Sequence, residues 1–317
     1  MKEIHSAAIV GMGALGMLFA SQITAALGPD AVCFVAESDR VAKYQQMRFT
    51  VNHKECHFPV IDSRNAIPAD LVIVAVKSTA LTDALDTMAG CVGPDTIIIS
   101  VINGITSEEI IGARYGMEHI IYCVAQGMDA VKFGGDLTYI KPGELRIGIL
   151  EKAEQNSSEP NEAMSTAPDR LAALVRYLDR VGIAYTVEPD IRYRLWGKFM
   201  LNVGINQICM VFETTYGGAV APGKPRDTMI AAMREVIALA NAEGIALGEK
   251  EIADYIALME TLSPEGMPSM RQDGVAHRPS EVELFSGTVR KRSAKYGLPT
   301  PVNDWLYTRI KEMEANY

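Results

Sequence analysis

Residues 7–16 read Ala7-Ala8-Ile9-Val10-Gly11-Met12-Gly13-Ala14-Leu15-Gly16, and the division of this stretch decides the fold. Four small or branched apolar residues fit a buried strand. Gly11, Gly13 and Gly16 then stand as G-x-G-x-x-G, and Ala14 to Leu27 continues as a helical pattern stopped by Gly28-Pro29. Strand, glycine turn and helix in that order predict a dinucleotide-binding unit. Gly11 makes the tight turn, Gly13 lets a pyrophosphate approach, and Gly16 lets the helix pack on the strand. Met12, Ala14 and Leu15 complete a loop whose N–H groups and helix dipole suit an anion. A second apolar run, Val32 to Ala36, ends at Glu37. A carboxylate there accepts hydrogen bonds from the ribose hydroxyls and repels a 2′-phosphate, by up to about 4 kcal/mol at close range. Residue chemistry thus favours NADH over NADPH; the alternative is that Glu37 turns outward while Arg40 and Lys43 accept a phosphate.

Working outward, Leu71 to Val76 and Thr96 to Ile102 are further strand candidates. Helical stretches alternate with them, at Ser78 to Met88 and from a capping-box pattern, Thr106-Ser107-Glu108-Glu109. This alternation predicts an α/β Rossmann domain with a mostly parallel sheet. Short hairpin strands are expected between Phe49 and Val60. A further hairpin is expected from Asp136 to Ile140 and Glu144 to Ile149 around Lys141-Pro142-Gly143. A loop is expected over Glu151 to Pro168, then a helix and short strand over about 169–187. After that the pattern is helical throughout: Asp190 to Glu213, Asp227 to Glu243, Glu249 to Met259, Pro279 to Lys295 and Val302 to Ala315. The expected domains are residues 1–188, binding NAD(P)H, and an all-α domain over residues 189–317.

The chain has 317 residues, with 30 Lys+Arg against 39 Asp+Glu and a net charge of −9. An acidic balance disfavours nucleic acid as a partner. Cys33, Cys56, Cys91, Cys123 and Cys209 are odd in number and lack a C-x-x-C pair. That usage points to a reduced, cytoplasmic protein. The apolar N-terminus could pass for a signal peptide, but the three glycines interrupt it, and no apolar run reaches the ~18 residues of a membrane span. His53-Lys54-Glu55-Cys56-His57 has metal-like composition but reads as a surface hairpin, so no metal is expected.

The densest polar cluster in an apolar setting is Leu195-Trp196-Gly197-Lys198-Phe199-Met200-Leu201-Asn202-Val203-Gly204-Ile205-Asn206. Lys198, Asn202 and Asn206 are spaced i, i+4, i+8 and share one helix face. The bland alternative is a snorkelling lysine with two asparagines bonded to neighbouring loops. Lys77 and Asn103-Gly104 each follow a predicted strand, where ligands of open α/β sheets bind. Ser269-Met270-Arg271-Gln272-Asp273 and Arg278-Pro279-Ser280-Glu281 complete the set.

In order and spacing these motifs resemble the ketopantoate reductases (2-dehydropantoate 2-reductases) over essentially the whole chain. The resemblance implies reduction of the C2 ketone of ketopantoate to D-pantoate by NAD(P)H, in pantothenate synthesis. It implies Lys198 as general acid, with Glu281 placing the lysine and the substrate hydroxyl. It further implies Asn202, Asn206 and Ser269 as substrate-binding, Asn103 between nicotinamide and substrate, and Lys77 as a cofactor contact. Position 37 departs from the family, which usually places an arginine there for the 2′-phosphate. An NAD-dependent D-2-hydroxyacid dehydrogenase acting on other branched or aromatic 2-oxo acids is the alternative. The expected partner is a small 2-oxo acid, with no nucleic acid or membrane, and a helical second domain is compatible with a homodimer.

Overall fold

The computed structural model describes residues 3–150 and 162–317. The chain divides into two compact units, Met1–Ile191 and Arg192–Tyr317.

The first unit is built on strands β1 (Ala7–Val10), β2 (Val32–Ala36), β3 (Phe49–Val51), β4 (Lys54–Cys56), β5 (Val60–Asp62), β6 (Leu71–Val74), β7 (Ile97–Ser100), β8 (Tyr122–Gln126), β9 (Val131–Phe133), β10 (Asp136–Thr138), β11 (Glu144–Gly148) and β12 (Tyr185–Val187). Its helices are α1 (Ala14–Leu27), α2 (Ser38–Gln45), α3 (Leu81–Thr87), α4 (Ser107–Tyr115) and α5 (Glu162–Val181). The main sheet is parallel with order β5-β2-β1-β6-β7. β1 lies in register between β2 (Ile9 opposite Phe34) and β6 (Ile9 opposite Ile73). Its residues alternate between two apolar cores, Ala7 and Ile9 on one face and Ala8 and Val10 on the other. Burial on both faces explains why the strand is apolar without interruption. Strand order reverses on either side of β1, which puts the switch point of the sheet at the glycine turn.

Several local expectations are corrected. Thr106 precedes α4 but makes no side-chain capping bond, so the capping box does not form. The residues after it turn inward instead, with Ser107 donating to Glu108. The strands around Lys141-Pro142-Gly143 do not pair with each other. β10 pairs with β9 across Gly134-Gly135 and with β3, whereas β11 pairs with β8 and β12. Gly134 supplies the positive φ of +57° that this tight reversal needs. The Glu151–Pro168 loop lies outside the described residues up to 161, and beyond that α5 already runs from Glu162 through Pro168.

The second unit is helical, with no strand among the described residues: α6 (Ile191–Val211), α7 (Tyr216–Val220), α8 (Lys224–Ala242), α9 (Glu249–Glu260), α10 (Ser269–Val275), α11 (Thr288–Ala294) and α12 (Pro301–Glu314). The expected single helix over Pro279 to Lys295 is interrupted. Glu283–Gly287 is a π-helical turn leading into α11. The Ser286 N–H leaves the ladder to bond the side chain of Gln207, and the Gly287 N–H reaches Val282 O instead.

Candidate active site

In the first unit, the three loop glycines are held for different reasons. Gly11 has φ +107°, and a Cβ there would come within 2.6 Å of the Ala75 carbonyl group. A Cβ on Gly16 would come within 2.0 Å of Gly11 O. Gly13 has φ −84°, and its added Cβ would meet only Ala75 O at an ordinary 3.6 Å. The protein's own packing thus requires glycine at 11 and 16 but not at 13. What glycine at 13 leaves open is the space a pyrophosphate needs in front of the α1 N-terminus. Gly13 is the N-cap of α1, and no side chain caps the helix in a ligand's place. The residues therefore fit a dinucleotide.

A cavity of 440 Å³ opens beside the loop, lined among others by Gly11, Met12, Glu37, Arg40, Asp83 and Thr87. Glu37 precedes α2, and one of its oxygens is doubly held: Oε1 accepts from Thr87 Oγ (3.0 Å) and Ser63 Oγ (3.2 Å). Asp39, Asp83 and Asp86 also line the cavity, so four carboxylates face one guanidinium, Arg40. Arg64, close enough to feel the charge of Glu37, is engaged by both oxygens of Asp62 at 2.9 and 2.8 Å. This pair holds the Asp62 carboxyl well below the usual range, chiefly through the Arg64 side-chain hydrogen bonds. Ser63, Asp83, Asp86 and Thr87 were not legible as site residues. Only the fold brings β5 and α3 beside Glu37.

Lys77 and Asn103 lie beyond the carboxyl ends of β6 and β7 but do not line this cavity. Behind Asn103 runs a buried relay. Ile102 N donates to Ser100 Oγ (3.3 Å), Ser100 Oγ to Ser107 Oγ (2.9 Å), and Ser107 Oγ to Glu108 Oε2 (2.8 Å). Glu108 is 2% exposed and its Oε1 has no hydrogen-bond partner. Burial pushes its carboxyl up to about 7, against the lowering effect of the Ser107 hydrogen bond.

In the second unit, α6 carries Lys198, Asn202 and Asn206. The lysine is half-buried and both asparagines are buried, at 9% and 4% exposure. That is no solvated face. Trp196 and Phe199 flank the lysine in an edge-to-face pair, ring centroids 6.0 Å apart. Arg292 lies over Trp196 and is forked onto Glu243. Ser269 is exposed at the start of α10, and Glu281 is half-buried just before the π-turn. The two segments are joined by Arg278, which donates to Asp273 Oδ1 at 2.9 Å. Ser280 is tied to Glu314 of α12 through its N–H (2.8 Å) and hydroxyl (2.5 Å). Among the described residues no cluster of His, Cys, Asp and Glu is placed to hold a metal ion, and no helix is long and apolar enough to cross a membrane.

Two family models match in tandem: "Ketopantoate reductase PanE/ApbA" over residues 7–152 and "Ketopantoate reductase PanE/ApbA C terminal" over residues 190–314. The chain belongs to the ketopantoate reductase family. As a member it is an NAD(P)H-dependent oxidoreductase acting on a 2-oxo acid. Curated 2-dehydropantoate 2-reductases similar to it include one from Streptococcus pyogenes, 25% identical with 97% of each chain covered. Another, from Aquifex aeolicus, is 26% identical with 96% of each covered. Solved structures share the reductase fold. The ternary complex of D-mandelate dehydrogenase with NADH and anilino(oxo)acetate has a TM-score of 0.84 at 21% identity, covering 98% of this chain and 99% of that one. A dimeric ketopantoate reductase from Staphylococcus aureus has a TM-score of 0.76 at 22% identity, with the same coverage.

Proposed function

We propose that this reductase uses NADH to reduce the C2 ketone of ketopantoate to D-pantoate. The observation that carries the reaction type is the face of α6, where a half-buried ammonium and two buried amides line up in an apolar helix. When bound, the nicotinamide cofactor supplies a hydride to the ketone carbon. Lys198 stabilises the negative charge that grows on the carbonyl oxygen and passes it a proton from Nζ. Asn202, Asn206 and Ser269 offer neutral hydrogen bonds to the substrate carboxylate and hydroxyl. Glu281 orients the lysine and the nascent hydroxyl. The first unit contributes Gly11, Met12, Gly13, Ala14, Leu15 and Gly16 to the pyrophosphate, Glu37 to the adenosine ribose, and Lys77 and Asn103 toward the nicotinamide. We further propose a cytoplasmic homodimer.

The acid-lined cavity supports a second reading, an NAD-dependent D-2-hydroxyacid dehydrogenase of another branched or aromatic 2-oxo acid. The solved D-mandelate dehydrogenase complex, which holds NADH, agrees with it. Initial rates of NADH and NADPH oxidation against a panel of 2-oxo acids separate the two readings. The first expects the highest kcat/KM with ketopantoate; a clear preference for an aromatic 2-oxo acid selects the second. Under either reading, Lys198→Ala lowers kcat by about 10²–10⁴ with cofactor affinity retained. Turnover close to wild type in that variant removes the lysine from its role.

A further inference from the structure

We propose that Gln207 is a positioning residue, which holds the segment carrying Glu281 in register with the Lys198, Asn202 and Asn206 face of α6. The proposal rests on the functional reading above and adds to it a residue outside the sequence motifs. Gln207 follows Asn206 directly, stands about 100° around the helix from it and is fully buried. Its amide is fixed at both ends. Nε2 donates to Val203 O of its own helix (2.7 Å). Oε1 accepts from the Ser286 hydroxyl (2.5 Å) and from the Ser286 N–H (3.3 Å).

The second of these bonds accounts for the π-turn. In a continuous α-helix the Ser286 N–H would bond Val282 O, four residues back. Gln207 takes that N–H, and Val282 O accepts from Gly287 instead at 3.0 Å. One residue of slip in a helix is about 100° of rotation. The bulge therefore sets which way the residues before it face, and Glu281 begins that stretch, its carbonyl accepting from Leu284 and Phe285. Single π-turns inside helices are often found at functional sites.

The surroundings make the arrangement specific. Asn303, also fully buried, donates through Nδ2 to Ala232 O (3.3 Å) and Glu235 Oε2 (2.7 Å). Its Oδ1 therefore accepts, 3.5 Å from Gln207 Nε2, and at 3.0 Å from Ser286 Oγ it is the alternative acceptor for the one Ser286 hydroxyl proton. Glu235 meanwhile takes the N–H groups of Val302 and Asn303 at the start of α12. A satisfied buried network of this kind fixes one geometry, because any shift strands a polar group. With Ser280 tied to Glu314, Glu281 lies between two anchors, and Gln207 is the one that leads back to the lysine's own helix.

The test uses Gln207→Leu, Gln207→Glu and Ser286→Ala in the full chain, with NADH and the best 2-oxo acid of the panel. Gln207→Leu leaves the Ser286 hydroxyl an acceptor in Asn303 and frees its N–H to return to Val282, so the helix can close without the bulge. Expected are a fall in kcat of about tenfold or more, an unchanged KM for NADH, and an alkaline limb of the kcat–pH profile moved to lower pH. That limb moves because a displaced carboxylate no longer favours the ammonium. Gln207→Glu keeps an acceptor for the Ser286 N–H but loses the donor to Val203 O, so it recovers part of the lost kcat. Ser286→Ala, which keeps that N–H bond, gives a smaller loss and serves where Gln207→Leu does not fold. Variants that lower the melting temperature but leave kcat and its pH profile unchanged overturn the positioning role alone. A wild type inert toward every 2-oxo acid overturns the functional reading, and this proposal with it.

Discussion

Glu37 is held at one oxygen by Thr87 and Ser63, which on the proposed reading leaves the other to meet a ribose hydroxyl. Replacing it by arginine should raise the NADPH-to-NADH ratio of kcat/KM. Asp83 and Asp86 still line the cavity, so the single change should fall short of a full reversal. Adding Asp83→Asn and Asp86→Asn should carry the ratio further, because each removes a charge that repels the phosphate. A ratio unmoved by all three changes would show that the phosphate is excluded elsewhere. Glu108 gives a pH prediction. Its folded carboxyl titrates near 7, above the ordinary 4.5. Between those two values the unfolded chain loses a proton that the folded chain keeps, so stability falls as pH rises through the window and levels off above it. The loss is on the order of 3 kcal/mol. Melting curves between pH 4.5 and 8 should slope down more steeply for wild type than for Glu108→Gln; equal slopes would contradict the assignment.

Within the turn between β1 and α1, the glycines separate experimentally. Gly11→Ala and Gly16→Ala force a Cβ into backbone and should lower the melting temperature markedly. Gly13→Ala meets nothing closer than 3.6 Å and should melt like wild type, while weakening NADH binding by roughly tenfold or more, as measured by fluorescence titration. β1, α1 and β2 were legible to the residue because glycines and a change of period mark their ends. The π-turn was not, because the cause of the break at Ser286 is a side chain 79 residues away. For the same reason the strands around Lys141-Pro142-Gly143 were seen while their partners were not. A strand pattern shows which face is apolar, but not which edge it will join. Lys198, Asn202 and Asn206 could be read from i, i+4 spacing; the ties from Asp273 to Arg278 and from Ser280 to Glu314, which carry Glu281, could not.

For the whole molecule, none of the five cysteines, all among the described residues, forms a disulfide; two are half-buried and three buried. Burial raises Cys91 and Cys209 to about 12, which keeps both as unreactive thiols. Without disulfides, stability rests on the buried apolar residues of both units and on ligand. NADH at a hundredfold excess over its Kd should stabilise the first unit by about 2.7 kcal/mol. NADPH at the same concentration should do less, and differential scanning calorimetry can compare them. An equal shift from both would argue against the role given to Glu37. The division into two units means that more than one transition can appear, and the ligand effect belongs to the unit that binds it.

β1 is bonded along both edges and covered on both faces, with Ile9 wholly buried. Such a strand is among the last parts of a domain to exchange its amide hydrogens, since only global opening exposes it. The glycine turn grows directly from that strand. A dinucleotide bound as proposed would thus be received beside one of the most persistent parts of the first unit, and its departure would leave the anchoring strand unchanged for the next molecule.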